Sequence, residues 1–203
     1  MILYPIYHWL AQAAPKIRWS NKYDITAEDK QLLAKKLASG YYVILVGTKS
    51  SLSSVVVSFF SWVRTGKWST YTHSLMNCDN ITDPSNRSGF KFVEALTNGV
   101  SYTTFDEVFA CDHVCLLTPA NVKHEEWNLI IDNLTSSVGT PYDDLFDLVD
   151  SSKMSCVEVV LNALKASGHV EEFANLTGMI ENVGNLVPQM YRDCPDFKVE
   201  IEL

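Results

Sequence analysis

Residues 154–160 read Met-Ser-Cys-Val-Glu-Val-Val and join a polar turn to an apolar stretch that ends at Gly168. The apolar side chains recur at helical spacing, at Val157, Val160, Leu161 and Leu164. This spacing predicts a helix that begins near Cys156. A thiol in the first turn of a helix faces backbone N–H groups and the positive end of the helix dipole, and both favour the thiolate. The position suits a nucleophile, although many free cysteines are simply small buried hydrophobic residues.

The overall composition is that of a folded, acidic chain. Its 203 residues are 47% hydrophobic and 20% charged, which suits one substantial core rather than a disordered chain. The formal net charge of -8 argues against a nucleic-acid partner, because phosphate binding needs clustered Lys and Arg. Anionic membrane surfaces are disfavoured for the same reason.

The cysteines and the N-terminal sequence indicate the compartment in which the protein is found. The five cysteines are odd in number and irregularly spaced, which predicts a reducing compartment and no disulfide scaffold. No run has the length of a transmembrane helix, and residues 1–14 have no basic residue before their apolar part, so they make a poor secretory signal. We therefore expect no integral membrane segment and a cytoplasmic or virion-associated protein.

Composition also divides the chain into three parts. Residues 1–25 form an aromatic-rich arm, and residues 1–23 of it could bind a protein partner. Residues 26–185 form the main domain, and residues 186–203 are predicted to be an irregular C-terminal tail packed on that domain.

Periodicity and turn residues place the elements of the main domain. Thr26, with Asp29 three residues on, caps the first helix, and Asn98-Gly99 indicates a hairpin turn. Apolar or alternating runs predict strands at 41–46, 71–76, 90–96, 100–104 and 113–117. Helical spacing predicts helices at 26–39, 52–66, 121–134 and 156–167, a helical turn at 104–109, and two weaker helical pieces between 168 and 184.

Three residues of this arrangement could cooperate in thiol chemistry. Thiol catalysis needs a base for the thiol proton and a polar group that orients the base. His73 and Glu94 lie on neighbouring predicted strands, and the Cys156 helix can pack against the same sheet. Each residue also has a plain structural interpretation: His73 as a satisfied strand histidine, and Glu94 as the solvent face of an edge strand.

The order of several short motifs resembles a known family. They are Tyr71-Thr72-His73-Ser74, Phe92-Val93-Glu94-Ala95 with Gly99-Val100, Tyr142-Asp143, and Ser155-Cys156-Val157-Glu158. This order is similar to that of the circularly permuted papain-like cysteine hydrolases of the NlpC type, in the YiiX-like and lecithin–retinol-acyltransferase-like branch. The departures, Thr-His-Ser and Cys-Val-Glu-Val, lie beside the residues with proposed roles, and the Asn-Cys pair typical of the lecithin–retinol branch is absent.

The resemblance covers about residues 40–165 and implies a fold and a set of roles. The fold would be α+β, permuted papain-like, with a small antiparallel sheet and the nucleophile at a helix N-terminus. Cys156 would attack an acyl carbonyl, His73 would act as base and then acid, and Glu94 would orient His73. Tyr142 would line the site or donate to the oxyanion, unless it only packs in the turn after Pro141. No cofactor is implied.

Two other motifs do not have the spacing that a zinc site or a phosphate-binding loop requires. Cys111, His113 and Cys115 lack a second cysteine pair and do not match a zinc-ligand pattern, so we predict no metal site. Gly47-Thr48-Lys49-Ser50 lacks the leading glycine of a phosphate-binding loop.

The sequence thus leads to three hypotheses. The first is a thiol hydrolase that cleaves an amide or peptide bond, such as a cell-wall peptide, through an acyl-enzyme. The second is a lipid-directed acyl hydrolase or acyltransferase. The third is a non-catalytic structural or binding module of a viral particle or secretion assembly, which the aromatic arm and the tail would favour.

Overall fold

The computed structural model describes residues 19–20, 22–49, 51–79, 81–143, 150, 152–166, 173–183 and 187–203. The first 18 residues of the predicted arm and the apolar segment 145–149 lie outside this part of the chain. Within it, no helix is both long and apolar enough to cross a membrane.

The described chain is a mixed α and β structure around one six-stranded sheet. In chain order the elements are α1 (Ala27–Leu37), β1 (Val43–Gly47), α2 (Leu52–Thr65), β2 (His73–Asn77), β3 (Lys91–Leu96), β4 (Gly99–Thr104), α3 (Phe105–Val108), β5 (His113–Pro119), α4 (Trp127–Ser136), α5 (Cys156–Lys165), α6 (Ala174–Val183), α7 (Pro188–Asp193) and β6 (Phe197–Glu202). The strand order is β4-β3-β2-β1-β5-β6, and all neighbours are antiparallel. The five predicted strands lie within two residues of the observed bounds.

Strand alternation divides the interior into two cores, one on each face of the sheet. Val43, Leu45 and Met76 face the first core, which also contains the apolar residues of α4 and α5. Ile44 and Leu75 face the second core, which α1 and α3 cover. The sheet is therefore a middle layer with helices on both sides.

Local signals fix the ends of several elements. Thr26 and Asp29 form the predicted capping box of α1, with both backbone N–H groups bonded. The β3–β4 hairpin forms as predicted, and Gly99 has a φ of 103°, a left-handed conformation that glycine tolerates without strain. The helix predicted from residue 121 does form, but it begins later. A 3-10 turn spans His124–Glu126, and α4 follows from Trp127.

The prediction of an irregular C-terminal tail is wrong. Helix α7 and strand β6 are regular, and β6 pairs with β5 at the edge of the sheet. A bulge opposite Leu116 and Leu117 turns Val199 toward the first core and Ile201 toward the second. The bulge breaks simple alternation, so the burial of this strand cannot be predicted from a period of two alone.

Candidate active site

Cys156 is the first residue of α5, and it is nearly enclosed, with 6% of its surface exposed. Glu158 accepts a hydrogen bond from the Ser155 backbone N–H (2.7 Å), which stabilises the first turn of the helix. The Ser155 hydroxyl is also buried, and it has no hydrogen-bond partner among the described residues. The sequence prediction of a cysteine at a helix mouth is confirmed.

His73 and Glu94 are in direct contact. The imidazole Nε2 lies 2.6 Å from a Glu94 carboxylate oxygen, and the Glu94 side chain is only 10% exposed. This rules out the solvent-face interpretation of Glu94. Because Nε2 is engaged with the carboxylate, Nδ1 is the ring nitrogen left for a second partner.

The gap between β2 and β3 explains how these residues meet. The ladder between the two strands contains only Met76 with Val93 and Asn77 with Phe92, so the start of β2 has no ladder partner in β3. Ser74 and Met76 face the α5 side, whereas His73 follows Leu75 on the other side by strand alternation. His73 and Glu94 therefore lie on the same face of the sheet, at the part of β2 that has no ladder partner in β3.

His73 and Cys156 shift each other's pKa. Burial opposes a charged imidazole, but the Cys156 charge and hydrogen bonds with Cys156 and Glu94 outweigh it and raise the pKa of His73. Burial also opposes a thiolate, but the charge and hydrogen bond of His73, with hydrogen bonds from Ser74, lower the pKa of Cys156. Both shifts act in the direction of a thiolate–imidazolium pair.

Glu94 remains ionised behind the imidazole. Burial alone would raise its pKa, but hydrogen bonds with His73 and Thr103 and the imidazolium charge lower it. The carboxylate can therefore hold the ring in one orientation and stabilise its positive charge.

The other four cysteines are in a different environment. Cys78, Cys111, Cys115 and Cys194 are free and buried, and burial raises the pKa of each to about 12. Because thiolates are the reactive form, Cys156 is the activated thiol among the five.

Sequence reasoning missed two residues that position the nucleophile. The Ser74 hydroxyl donates to the Cys156 carbonyl (3.0 Å), and Ser74 is fully buried. The Tyr191 hydroxyl on α7 donates to the Val157 carbonyl (2.8 Å) from inside the first core. Ser74 could have been found as the polar neighbour of His73 that points to the opposite face, whereas no sequence signal links Tyr191 to α5.

Tyr142 lies near the nucleophile through the backbone. It forms an isolated bridge with Met154, two residues before Cys156, and its ring packs partly against the first core. This agrees with the turn-packing interpretation, and the role of Tyr142 as an oxyanion donor remains a prediction.

The cysteines near His113 do not converge on a metal. Cys111 lies in the second core and Cys115 in the first, on the other side of the sheet. No group of three or more His, Cys, Asp or Glu side chains within the described residues could hold a metal ion.

The chain has a YiiX-like fold. Its six-stranded antiparallel sheet has helices on both faces, and one of these helices begins at a buried cysteine. The chain is similar to the metalloprotein YiiX from Escherichia coli O157:H7 in its crystal structure, with a TM-score of 0.58 and 18% identity over 80% of this chain and 96% of that chain. No family model matches the chain, and a search of curated proteins finds no match.

Proposed function

We propose that this chain is a thiol-dependent hydrolase that cleaves an amide or peptide bond through an acyl-enzyme on Cys156. The observation that carries the proposal is the buried 2.6 Å contact of His73 with Glu94, beside a Cys156 thiol whose pKa His73 lowers and which raises the pKa of His73 in turn. A base within reach of a thiol and a third group behind the base are what nucleophilic thiol catalysis requires.

The proposed reaction has two halves. The Cys156 thiolate attacks the carbonyl carbon, and the negative charge moves to the carbonyl oxygen. His73 then gives its proton to the leaving amine as the C–N bond breaks, which leaves a thioester on Cys156. In the second half, His73 takes a proton from water, the hydroxide attacks the thioester, and the thiolate and a carboxylic acid are released.

Fixed donors would stabilise the oxyanion in both halves. The Cys156 backbone N–H belongs to the first turn of α5, whose N–H groups have no intrahelical acceptor. We assign it as one oxyanion donor and the Tyr142 hydroxyl as the second. Glu94 would keep the imidazole ring in the orientation that serves both proton transfers.

We also propose that the fold is of the permuted papain-like, NlpC type. Along the chain the order is His73, Glu94 and then Cys156, and the histidine lies on a strand while the cysteine opens a helix. The YiiX-like fold is compatible with this assignment.

The similarity to a metalloprotein raises the question of whether this chain binds a metal ion. YiiX is called a metalloprotein, but the described residues of this chain do not bring three metal-ligating side chains together. The residues present do not fit a metal centre, and the proposed reaction has no step through one.

A second candidate function is a lipid-directed acyl hydrolase with the same nucleophile. One observation favours it: α2 exposes Phe59, Trp62 and Val63, and Ser54 of that helix contacts Thr72, the neighbour of His73. An apolar surface near the catalytic strand would suit a substrate with an acyl chain.

An acylating, thiol-directed probe tests the proposal. Intact mass and peptide mapping should show one adduct, on Cys156, because the other four thiols have raised pKa values. Cys156→Ala should abolish labelling, while Cys78→Ala, the matched control at another buried cysteine, should retain it. First labelling of any other cysteine, or turnover that survives Cys156→Ala, would refute the proposal.

A further inference from the structure

Helix α2 exposes several large apolar side chains to solvent. Phe59, Trp62 and Val63 are 47%, 52% and 59% exposed, and Val55 is 37% exposed. Trp68, in the turn after the helix, is 58% exposed. We call these five side chains the α2 surface. The rings of Phe59 and Trp62 lie 6.0 Å apart, so these two form one aromatic pair on the exposed side of the helix.

The inward face of α2 is made of serines. Ser51, Ser54, Ser58 and Ser61 are all at most 8% exposed. The Ser58 hydroxyl donates to the Ser69 carbonyl (2.8 Å), and the Ser61 hydroxyl donates to the Lys67 carbonyl (3.2 Å). Rotation of the helix to bury the apolar side chains would break these bonds and bury the carbonyls without a donor, so the outward orientation is fixed by the fold.

The α2 surface itself contains no charged side chain. No charged residue occurs from Leu52 to Val63. Arg64 follows Val63 in the sequence, and the lysines on either side have acidic partners: Lys49 pairs with Asp24 at 2.7 Å and Lys67 with Asp193 at 3.8 Å. With a chain charge of -8, this surface suits an uncharged, apolar partner better than an anionic one.

The area of the surface argues against a second copy of the chain. At ~150–250 Å² for a whole aromatic side chain, the five half-exposed side chains present roughly 500 Å². A stable protein–protein interface buries about 800 Å² on each partner. An area of this size is that of the largest apolar patch on a typical monomer, which is often functional, but it is small for a dimer. Shallow insertion at a lipid interface needs only a few aromatic and aliphatic side chains.

We propose that the α2 surface docks on a zwitterionic phospholipid bilayer, with Trp62, Val63 and Trp68 inserted at the level of the headgroups. Tryptophan is favoured at this depth because its ring is apolar and its N–H can reach water or a headgroup. The contact between Ser54 and Thr72 (3.1 Å) joins the docked helix to the strand that carries His73. Docking would thus bring the catalytic strand close to the lipid surface.

Vesicle co-sedimentation with pure phosphatidylcholine tests this proposal on the full chain. We expect the wild type to bind, and W62S/V63S to lose at least about tenfold in affinity because two apolar anchors are removed. Leu129→Ser, a matched control on α4 whose side chain is 56% exposed, should bind like the wild type. Replacing part of the phosphatidylcholine by phosphatidylserine should weaken binding, because the chain is acidic.

Three outcomes would overturn docking on lipid. They are wild-type protein that stays in the supernatant, equal loss in W62S/V63S and in Leu129→Ser, and sedimentation velocity showing a dimer that W62S/V63S dissociates. The last result would assign the α2 surface to a second copy. Labelling of Cys156 by the acylating probe is measured in parallel, so loss of lipid binding is distinguished from loss of the thiol chemistry or of the fold.

Discussion

Helices α5 and α2 have similar apolar periodicity and opposite placement. In α5, the valines, leucines and alanine are buried against β2, β3 and α4, and even Glu158 is 6% exposed. In α2, Phe59, Trp62 and Val63 face solvent and the serines face the protein. The buried helix fixes a reactive sulfur, whereas the exposed helix offers a surface next to the strand of His73.

The difference shows that apolar spacing identifies a helix without showing which face is buried. In α2 there is also a stripe of serines, at positions 51, 54, 58 and 61. The Ser58 and Ser61 hydroxyls donate to backbone carbonyls, Ser54 contacts Thr72, and Ser51 donates to Ser54. Small hydroxyl side chains allow close approach to the chain at Ser69 and Lys67, which phenylalanine or tryptophan would prevent. In α5 the polar residues are Glu158, Asn162 and Lys165, none of them a serine or threonine, and Lys165 is exposed.

Removal of the sulfur at the start of α5 should have the largest effect. Cys156→Ala should reduce kcat/KM by at least about 10³-fold, because a covalent route has no substitute nucleophile. Turnover of an amide substrate is measured for Cys156→Ala and for W62S/V63S. The comparison tests whether the catalytic step depends on α5 and not on the α2 surface. Equal losses in the two variants would contradict the division of roles between the helices.

Much of the fold and of the candidate site could be predicted from the sequence, because the signals are local. The helix start at Cys156, the strand of His73 and the β3–β4 hairpin depend on neighbouring residues, so their signals are visible in the sequence. The contact of His73 with Glu94 could be expected from neighbouring strands. The support from Tyr191 could not, because it depends on how a distant C-terminal helix packs on α5.

Substitutions in the buried helix α5 should lower the free energy of unfolding more than substitutions on the exposed face of α2. Leu164→Ala in α5 should lower the free energy of unfolding by about 3 kcal/mol, because a fully buried side chain leaves a cavity. Val63→Ala in α2 should change it by less than about 0.5 kcal/mol, because that side chain is 59% exposed. Urea unfolding measures both, and a similar cost for the two would mean that α2 is buried in solution.

The carboxylate behind the imidazole should matter less than the sulfur. Glu94→Gln should reduce kcat/KM by about tenfold, because the ring loses part of its orientation and charge stabilisation. Glu94 raises the pKa of His73, so its removal should lower that pKa and move the alkaline limb of the pH–rate profile to lower pH. An unchanged alkaline limb would show that Glu94 does not act through His73.

The smallest effect concerns the serine face of α2. Ser58→Ala should cost about 1 kcal/mol of stability, because the buried Ser69 carbonyl loses its donor. Ser136→Ala is the matched control: its hydroxyl also donates to a carbonyl, that of Asn133 (2.8 Å), but at an exposed position where water can replace it. Thermal or urea unfolding that finds no difference would contradict the anchoring role of the serine face.

The most direct measurement is a titration of the thiolate by its ultraviolet absorbance, in the wild type and in His73→Gln. Between about pH 5 and about pH 9 the other four cysteines stay protonated, since their pKa values are raised to about 12, so the signal reports Cys156. The account predicts that the thiolate forms well below the ordinary cysteine pKa and that His73→Gln moves its appearance to higher pH. A thiolate that appears only near pH ~8.5 in the wild type, and is unmoved by His73→Gln, would contradict it.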